Sequence, residues 1–554
     1  MSKNLSYLSA RKGLDTNLFE KIGDASKDGA PTSQSLKELA EEFLIGEANT
    51  FGTASFYDFT KASNRGKKAY ICNGTACLCA GTQSKVEESL KSGFSDEEIG
   101  HMTCLGRCYE AGAFRLNGKN HSGMNPDQIQ SLLDSTIEEK SSKYHVQSIG
   151  ASILTANMAD SKWATELIRK TFRGSPEDLL NEIEKSRIRG RGGAGFPLHV
   201  KLRTTYQTDS DVKYIACNAD EGDPGAFSDM YLLEERPLYV LLGMLIAGYA
   251  VGAAHGVIYI RAEYPASVDR IEEAIKWLQT NELVGRDFLG SGFDFTFKVI
   301  RAQGSYICGE ETAMLASIEG QRPEVRIRPP FPAVQGLFRK PTVVNNVETL
   351  ACLPYIIEHG GSAYSNIGTE RSSGTKLISL NSVFKRPGLY EVDMGTPLST
   401  VLNELGQGFK EPVKAFHIGG PLGGLVPLSK VEDLKVGFES FKENGFLLGH
   451  ASIIAIPKRF PIIKYLEHLF EFTADESCGK CFPCRLGSKR GQELLGKSLH
   501  GDYIIDYQLF DDLLHALEKG SLCALGGGLP LPVRNALTYF KDELEPHFSA
   551  IPIE

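Results

Sequence analysis

The sequence predicts a multidomain α/β protein, and three observations carry that expectation. Its 554 residues exceed what one hydrophobic core organises. Strand and helix signals alternate from about residue 175 to 365, the pattern of an α/β unit. Nine of the twelve cysteines fall into two groups, 72, 77, 79, 104 and 108 near the start and 478, 481, 484 and 523 near the end, so sulfur chemistry is confined to two loop regions.

Taken in order, residues 1–60 read mostly as helices, with SLKELAEEFLIGEA carrying apolar residues at three-to-four spacing. KKAYICNGTACLC reads as a strand entering a cysteine loop, SKVEESLKSG as a helix, and HMTCLGRCYEAGAFRLNG as a second cysteine loop and strand. These segments form one predicted N-terminal unit, 1–137. EEKSSKYHVQS, polar and without Pro or Gly, opens a predicted linker, 138–170. An α/β domain is expected over 171–368, a β-grasp module over 369–455 from the short strands and glycine turns at 374–424, and a helical domain over 456–554. The stretch LYVLLGMLIAGYAVGAAHGVIYI is long enough for a membrane span, but GAAHG breaks it into a helix and a β-branched strand, so no span is expected.

A composition 42% apolar and 23% charged is that of an ordinary folded chain, and the net charge of −9 argues against a nucleic-acid binder. The opening residues show no apolar secretory segment, so a reducing, cytoplasmic setting is expected. There, cysteines serve as thiols or metal ligands rather than disulfides.

In ESCGKCFPCRLG, Cys478, Cys481 and Cys484 recur at C-x2-C-x2-C spacing, and Cys523 follows in GSLCALGGG. Three thiolates converging from one turn with a fourth from elsewhere suit a [4Fe–4S] cluster; zinc, the competitor, usually takes its ligands two and two. Cys72 and Cys77 form C-x4-C, and Cys104 and Cys108 form C-x3-C. Two such loops can each grip one iron of a [2Fe–2S] cluster, although zinc also suits that layout. Cys79 is left over.

GRGGAG at 190–195 satisfies G-x-G-x-x-G, but the segment before it, SPEDLLNEIEKSRI, reads as a capped helix rather than the strand a dinucleotide fingerprint requires. The loop, with Arg191 in it and Lys201 behind it, can still wrap a phosphate or simply turn between elements. CNADEGDPGAF offers Asn218, Asp220, Glu221 and Asp223, a density of acids and amide that a structural loop rarely needs. QGSYICGEETAML opens a helix on Glu310 and Glu311, where acids also complement the helix dipole. Asn345 and Asn346 in KPTVVNNVETL are turn residues or partners for a flavin's polar edge.

Together GRGGAGFP, CNADEG, YICGEETA, RPPFPA, KPTVVNNVETLA and the ESCGKC and PCR segments resemble the NADH-oxidising flavoprotein subunit of respiratory complex I and its relatives in NAD-linked hydrogenases and formate dehydrogenases, over about residues 175–530. The N-terminal unit is similar to that subunit's thioredoxin-like [2Fe–2S] partner, here fused to it. The resemblance implies a Rossmann-like FMN domain, a β-grasp module and a C-terminal helical bundle. It assigns Gly190, Arg191, Gly192, Lys201, Asn218, Asp220, Glu221, Tyr306, Gly309, Glu310, Asn345, Asn346 and Thr349 to FMN, and Phe196, Asp223, Glu311, Arg328 and Phe331 to NADH. It places the [4Fe–4S] cluster on Cys478, Cys481, Cys484 and Cys523. Hydride transfer to FMN is expected without a side-chain acid or base, positioned by Glu221 and Glu311, with single electrons leaving through the clusters to other subunits of a redox complex. The alternative is a metal-stabilised, non-catalytic interaction subunit with vestigial cofactor loops. Family members commonly carry glutamate at the position of Asp223, an aromatic near that of Thr204 and often lysine at that of Arg328. The shorter acid is expected to loosen discrimination between NADH and NADPH.

Overall fold

A computed structural model describes residues 13–14, 17–26, 29–135, 144–156 and 161–549. The first sheet holds β1 (Ala69–Cys72), β2 (Ile99–Met102), β3 (Phe114–Leu116) and β4 (Lys119–His121) in the order β2-β1-β3-β4, with β1 and β2 parallel. Ile71, Phe114 and Leu116 point to a small core of their own with Val86, Leu90 and Ile129, in a thioredoxin-like unit with both cysteine loops at one end. The helices preceding β1 do not belong to that core. Phe19 and Tyr57 pack with Val257, Tyr259 and Ile300 of the central domain, and Tyr57 donates to Ser317 Oγ at 2.8 Å. The helices of the expected unit 1–137 thus also bridge to the central domain.

The expected linker 138–170 contains a paired strand. Its residues 138–143 and 157–160 lie outside the described residues, but β5 (His145–Ile149) pairs in parallel with a strand of the β-grasp sheet. Behind it, the buried Glu391 carboxylate accepts the backbone N–H groups of Ile153, Leu154 and Thr155 at 2.9–3.0 Å. A polar stretch free of Pro and Gly is compatible with an edge strand as well as with a linker, and only long-range pairing distinguishes them.

The central sheet is fully parallel: β6 (Tyr214–Ala219), β7 (His255–Ile260), β8 (Thr296–Arg301) and β9 (Thr342–Asn346) lie in the order β8-β7-β6-β9. The chain moves outward from β6 to β7 and β8, then returns to the other side of β6 as β9. Strand order therefore reverses between β6 and β9, and the crevice at their carboxyl ends is where open α/β sheets bind ligands. The helix Pro237–Val251 is almost wholly buried and hands over through Gly252 to β7, the helix–turn–strand expected of this apolar stretch. Among the described residues no helix is long and apolar enough to cross a membrane.

The third sheet adds β10 (Thr375–Leu380), β11 (Gly388–Asp393), β12 (Val413–Ile418), β13 (Gly424–Pro427) and β14 (Ser452–Pro457), in the mixed order β13-β12-β14-β10-β11-β5. It is locked onto the central domain by a buried ion pair between Lys376 and Glu348. Four helices of ten residues or more, Ile462–Asp475, Ser488–His500, Tyr507–Gly520 and Pro530–Tyr539, build the C-terminal bundle.

Candidate functional site

β6 ends in Asn218 and Ala219, β9 in Asn345 and Asn346, and Asn218 is the register partner of Asn346 across the switch point. The GRGGAG loop joins the helices Pro176–Ser186 and Leu198–Gln207, as the capped segment before it predicts. It comes so close to β9 that a Cβ on Gly192 would lie 2.8 Å from Asn346 Cβ, and Gly193 and Gly195 adopt positive φ. Only glycine permits this approach. The loop therefore presents backbone where a side chain would otherwise stand.

Arg191 is anchored through one end of its guanidinium. Its guanidinium is buried, donating to the Tyr364 hydroxyl and the Ser373 carbonyl, while its backbone N–H donates to Thr349 Oγ1 at 2.8 Å. Its Nε and Nη1 have no hydrogen-bond partner among the described residues, and Lys201, the other expected phosphate cation, is part-exposed and donates to the Val344 carbonyl at 3.0 Å. Glu221 is likewise committed: its carboxylate accepts Ser228 Oγ, the N–H groups of Asp229 and Met230, and the Tyr264 hydroxyl. It braces the first turn of the helix Ser228–Glu235, on which Asp229 accepts from Asn346 Nδ2 at 2.7 Å.

Other buried polar atoms in this region have no hydrogen-bond partner among the described residues: Asp220 Oδ2, Asn345 Nδ2, Ser305 Oγ and Glu310 Oε1, the last lying 3.7 Å from Arg328. An orphaned buried polar group costs about 1–3 kcal/mol, so such a collection marks a place built for a ligand. Burial, opposed by Arg261, pushes the Asp220 carboxyl well above the usual carboxylate range. Donors and acceptors of this kind beside a glycine cradle fit the ring edge, ribityl hydroxyls and phosphate of FMN.

At the mouth, Glu311 Oε1 accepts from Arg328 at 2.9 Å and its Oε2 lies 3.4 Å from Lys201. Phe196 and Phe331, 46% and 56% exposed, stand where an aromatic face is free to stack. Asp223 accepts the Tyr306 hydroxyl at 3.0 Å and lies 3.1 Å from His450 Nε2. The His450 contact is not legible in the sequence, because it is made across the β-grasp interface.

The floor of the crevice is shared with the C-terminal cysteines. Glu310 caps the helix Glu311–Ile318 by accepting Thr312 and Ala313 N–H at 2.9 Å, and Asn218 Nδ2 donates to the Gly309 carbonyl at 2.7 Å. Ile307 and Ala313 pack with Cys478 and Cys484 in one cluster, against which Tyr306, Cys481 and Cys523 also lie. Tyr306 N–H donates to Glu476 Oε2 at 2.7 Å, two residues before Cys478. Gly479, at φ +80°, makes the left-handed turn that lets Cys478 and Cys481 face the same way. Burial pushes the Cys523 thiol up to about 12, with the Glu310 charge adding to it and the Leu525 N–H opposing.

In the thioredoxin-like unit the four paired cysteines are each about 1% exposed. Cys104 and Cys108 Sγ are 3.4 Å apart, and a Cβ on Gly74 would lie 3.3 Å from Cys72 Sγ and 3.5 Å from Cys104 Sγ, so the two loops face each other. Gly225 of the central domain donates its N–H to Cys108 Sγ at 3.1 Å. Cys79 stands apart, its carbonyl accepting from Arg459 at 3.0 Å. Among the described residues no three His, Cys, Asp or Glu side chains surround a point as the ligands of a single ion do.

Residues 183–355 match the family model described as the Nuo51 FMN-binding domain, residues 464–547 the NADH-ubiquinone oxidoreductase-F iron–sulfur binding region, and residues 22–136 the thioredoxin-like [2Fe–2S] ferredoxin. The chain is 39% identical over 385 residues to the NADP-reducing hydrogenase subunit HndC of Solidesulfovibrio fructosivorans, covering 69% of this chain and 78% of that protein. It is 32% identical over 543 residues to the NAD-reducing hydrogenase HoxS subunit alpha of Cupriavidus necator, covering 92% of this chain and 88% of that one. A solved chain from an NAD⁺-reducing [NiFe]-hydrogenase in the H2-reduced state superposes with a TM-score of 0.86 at 27% identity, covering 96% of this chain and 92% of its own.

Proposed function

The chain belongs to the family of NADH-oxidising FMN and iron–sulfur flavoprotein subunits, and we propose that it serves as the diaphorase subunit of a larger complex, exchanging electrons between NAD(H) and a hydrogenase, formate dehydrogenase or respiratory module. It is an FMN-dependent NADH dehydrogenase with one [4Fe–4S] and one [2Fe–2S] cluster. Bound FMN exchanges electron pairs, as hydride, with nicotinamide and single electrons with iron–sulfur clusters.

The residues divide that work. The Gly190–Gly192 backbone and Lys201 hold the FMN phosphate, while Asn218, Asp220 and Asn345 meet its polar edge and ribityl hydroxyls. Arg191, Glu221, Asn346 and Thr349 keep the cradle in shape through internal bonds. Tyr306, Gly309 and Glu310 form the wall between flavin and [4Fe–4S] cluster. Phe196 and Phe331 flank NADH, and Asp223, Glu311 and Arg328 hold its ribose or phosphates. Without a side-chain acid or base at the hydride, positioning supplies most of the acceleration. Cys478, Cys481, Cys484 and Cys523 ligate the [4Fe–4S] cluster; Cys72, Cys77, Cys104 and Cys108 ligate the [2Fe–2S] cluster. NADH is the assigned nucleotide, because the Asp223 carboxylate and the 2′-phosphate of NADPH are both anionic. A cytoplasmic setting suits a chain whose twelve cysteines are all free.

The observation that carries this reading is the shared wall: the segment 306–313 meets the carboxyl end of β6 through Asn218 and Gly309 and shares one cluster with all four C-terminal cysteines. The test is anaerobic purification followed by NADH-driven reduction of a viologen dye. The reading expects FMN, acid-labile sulfide and turnover together; a colourless, inactive protein after reconstitution overturns it.

A further inference from the structure

β7 is an apolar, buried strand, yet the chain leaving it reads Arg261-Ala-Glu263-Tyr264, and both charges stay inside. Arg261 and Glu263 form an ion pair at 2.9 Å with 2% of each side chain exposed. Burying such a pair is costly, and hydrophobic replacements often serve stability as well, so its contacts decide what it does. Arg261 Nη2 donates to the Cys104 carbonyl at 2.7 Å, and its Nη1 donates to the Glu221 carbonyl. Tyr264 occupies the space that Gly106 leaves open, since a Cβ there would lie 2.4 Å from Tyr264 Cε1. Asn120 Nδ2 binds the Glu263 carbonyl at 2.6 Å. The Cys104–Cys108 loop therefore rests on a charged seat supplied by the central domain.

We propose that the Arg261–Glu263 pair is a positioning element that sets the reduction potential of the [2Fe–2S] cluster from outside its own domain. The inference rests on reading Cys104 and Cys108 as ligands. Reduction adds one electron and no proton to that site, making it more negative by one charge. A guanidinium fixed at the ligand loop in a low-dielectric interior favours the reduced form and raises the potential, and Glu263 holds Arg261 in place while tempering its charge. The Gly225 N–H on Cys108 Sγ acts in the same direction as Arg261.

The test is a mediated dithionite titration of the full chain, following the paramagnetic signal of the reduced [2Fe–2S] cluster, with FMN and iron content measured in parallel. Arg261→Gln is expected to change the oxidised-to-reduced ratio at fixed potential at least tenfold towards oxidised, a shift of about 59 mV downward for one electron. Glu263→Gln, nearly isosteric, is expected to shift it upward. Opposite signs support the inference, because a merely structural role would lower cluster content without ordering the potentials. If Arg261→Gln loads no cluster, Glu263→Gln decides alone. Unmoved potentials with full cluster content overturn the inference, whereas absence of the signal from the parent protein refutes the ligand assignment instead.

Discussion

The two cysteine regions place similar chemistry in opposite surroundings. Cys72, Cys77, Cys104 and Cys108 are sealed between the thioredoxin-like unit and the central domain, each about 1% exposed. In the C-terminal region Cys481 and Cys523 are only half-buried, and exposed Phe482, Leu486 and Leu522 stand beside them. A sealed site exchanges electrons only with its interior neighbours, whereas a site at the surface can pass them to another protein. Under the proposed ligand assignment, position rather than ligand type separates a store from an exit, and the exit is the C-terminal cluster.

The strongest way to break that division is Cys523→Ala. It is expected to abolish NADH-driven transfer to a protein acceptor while leaving NADH–ferricyanide activity, which flavin alone supports. Parallel loss of both without unfolding would remove the C-terminal cluster from its place after the flavin. The counterpart is Cys104→Ser, which is expected to delete the sealed cluster's paramagnetic signal yet leave most of the transfer to the protein acceptor. An equal collapse in both variants would erase the distinction between store and exit.

A smaller effect sharpens the crevice that serves both sites. Gly192→Ala pushes a methyl to 2.8 Å from Asn346 Cβ, and FMN affinity is expected to fall about tenfold, or about 1.4 kcal/mol; flavin fluorescence after dilution checks this. The smallest concerns His450. Burial disfavours its charged form, but Asp223 and then Glu221 outweigh that, with Lys376 opposing, and hold its pKa above the ordinary value. A group raised in the folded state contributes stability that is complete below its unfolded pKa, about 6.5, and fades as pH rises through the folded value. His450→Gln should therefore lower the melting temperature in mildly acidic buffer, with the gap closing in alkali. A gap constant with pH would remove the ion pair from the account.

The same contrast shows how much the sequence discloses. The helix–turn–strand at 238–260, the glycine loop between two helices and the separation of Cys79 follow from local signals: breakers, caps and spacing. β5 does not, because the short stretch HVQSI becomes a strand only where β11 offers it an edge. Nor do the internal bonds of Arg191 and Glu221, two charged residues beside glycines. Their partners, Tyr364, Ser373 and the helix at 228, lie far along the chain or fold back only after packing. Arg261 and Glu263 are visible as two charges directly after the buried strand His255–Ile260 at a ligand-binding sheet edge, but nothing local names their partners.

The central claim is that this chain divides an electron pair from NADH into single electrons delivered to iron–sulfur clusters. Anaerobic titration with NADH, following flavin absorbance and electron paramagnetic resonance on the same samples, tests it most directly. The account predicts bleaching of the flavin accompanied by cluster signals whose spins, added to the reduced flavin, account for two electrons per NADH. Full bleaching with every cluster still oxidised, at potentials where dithionite reduces them, would contradict it.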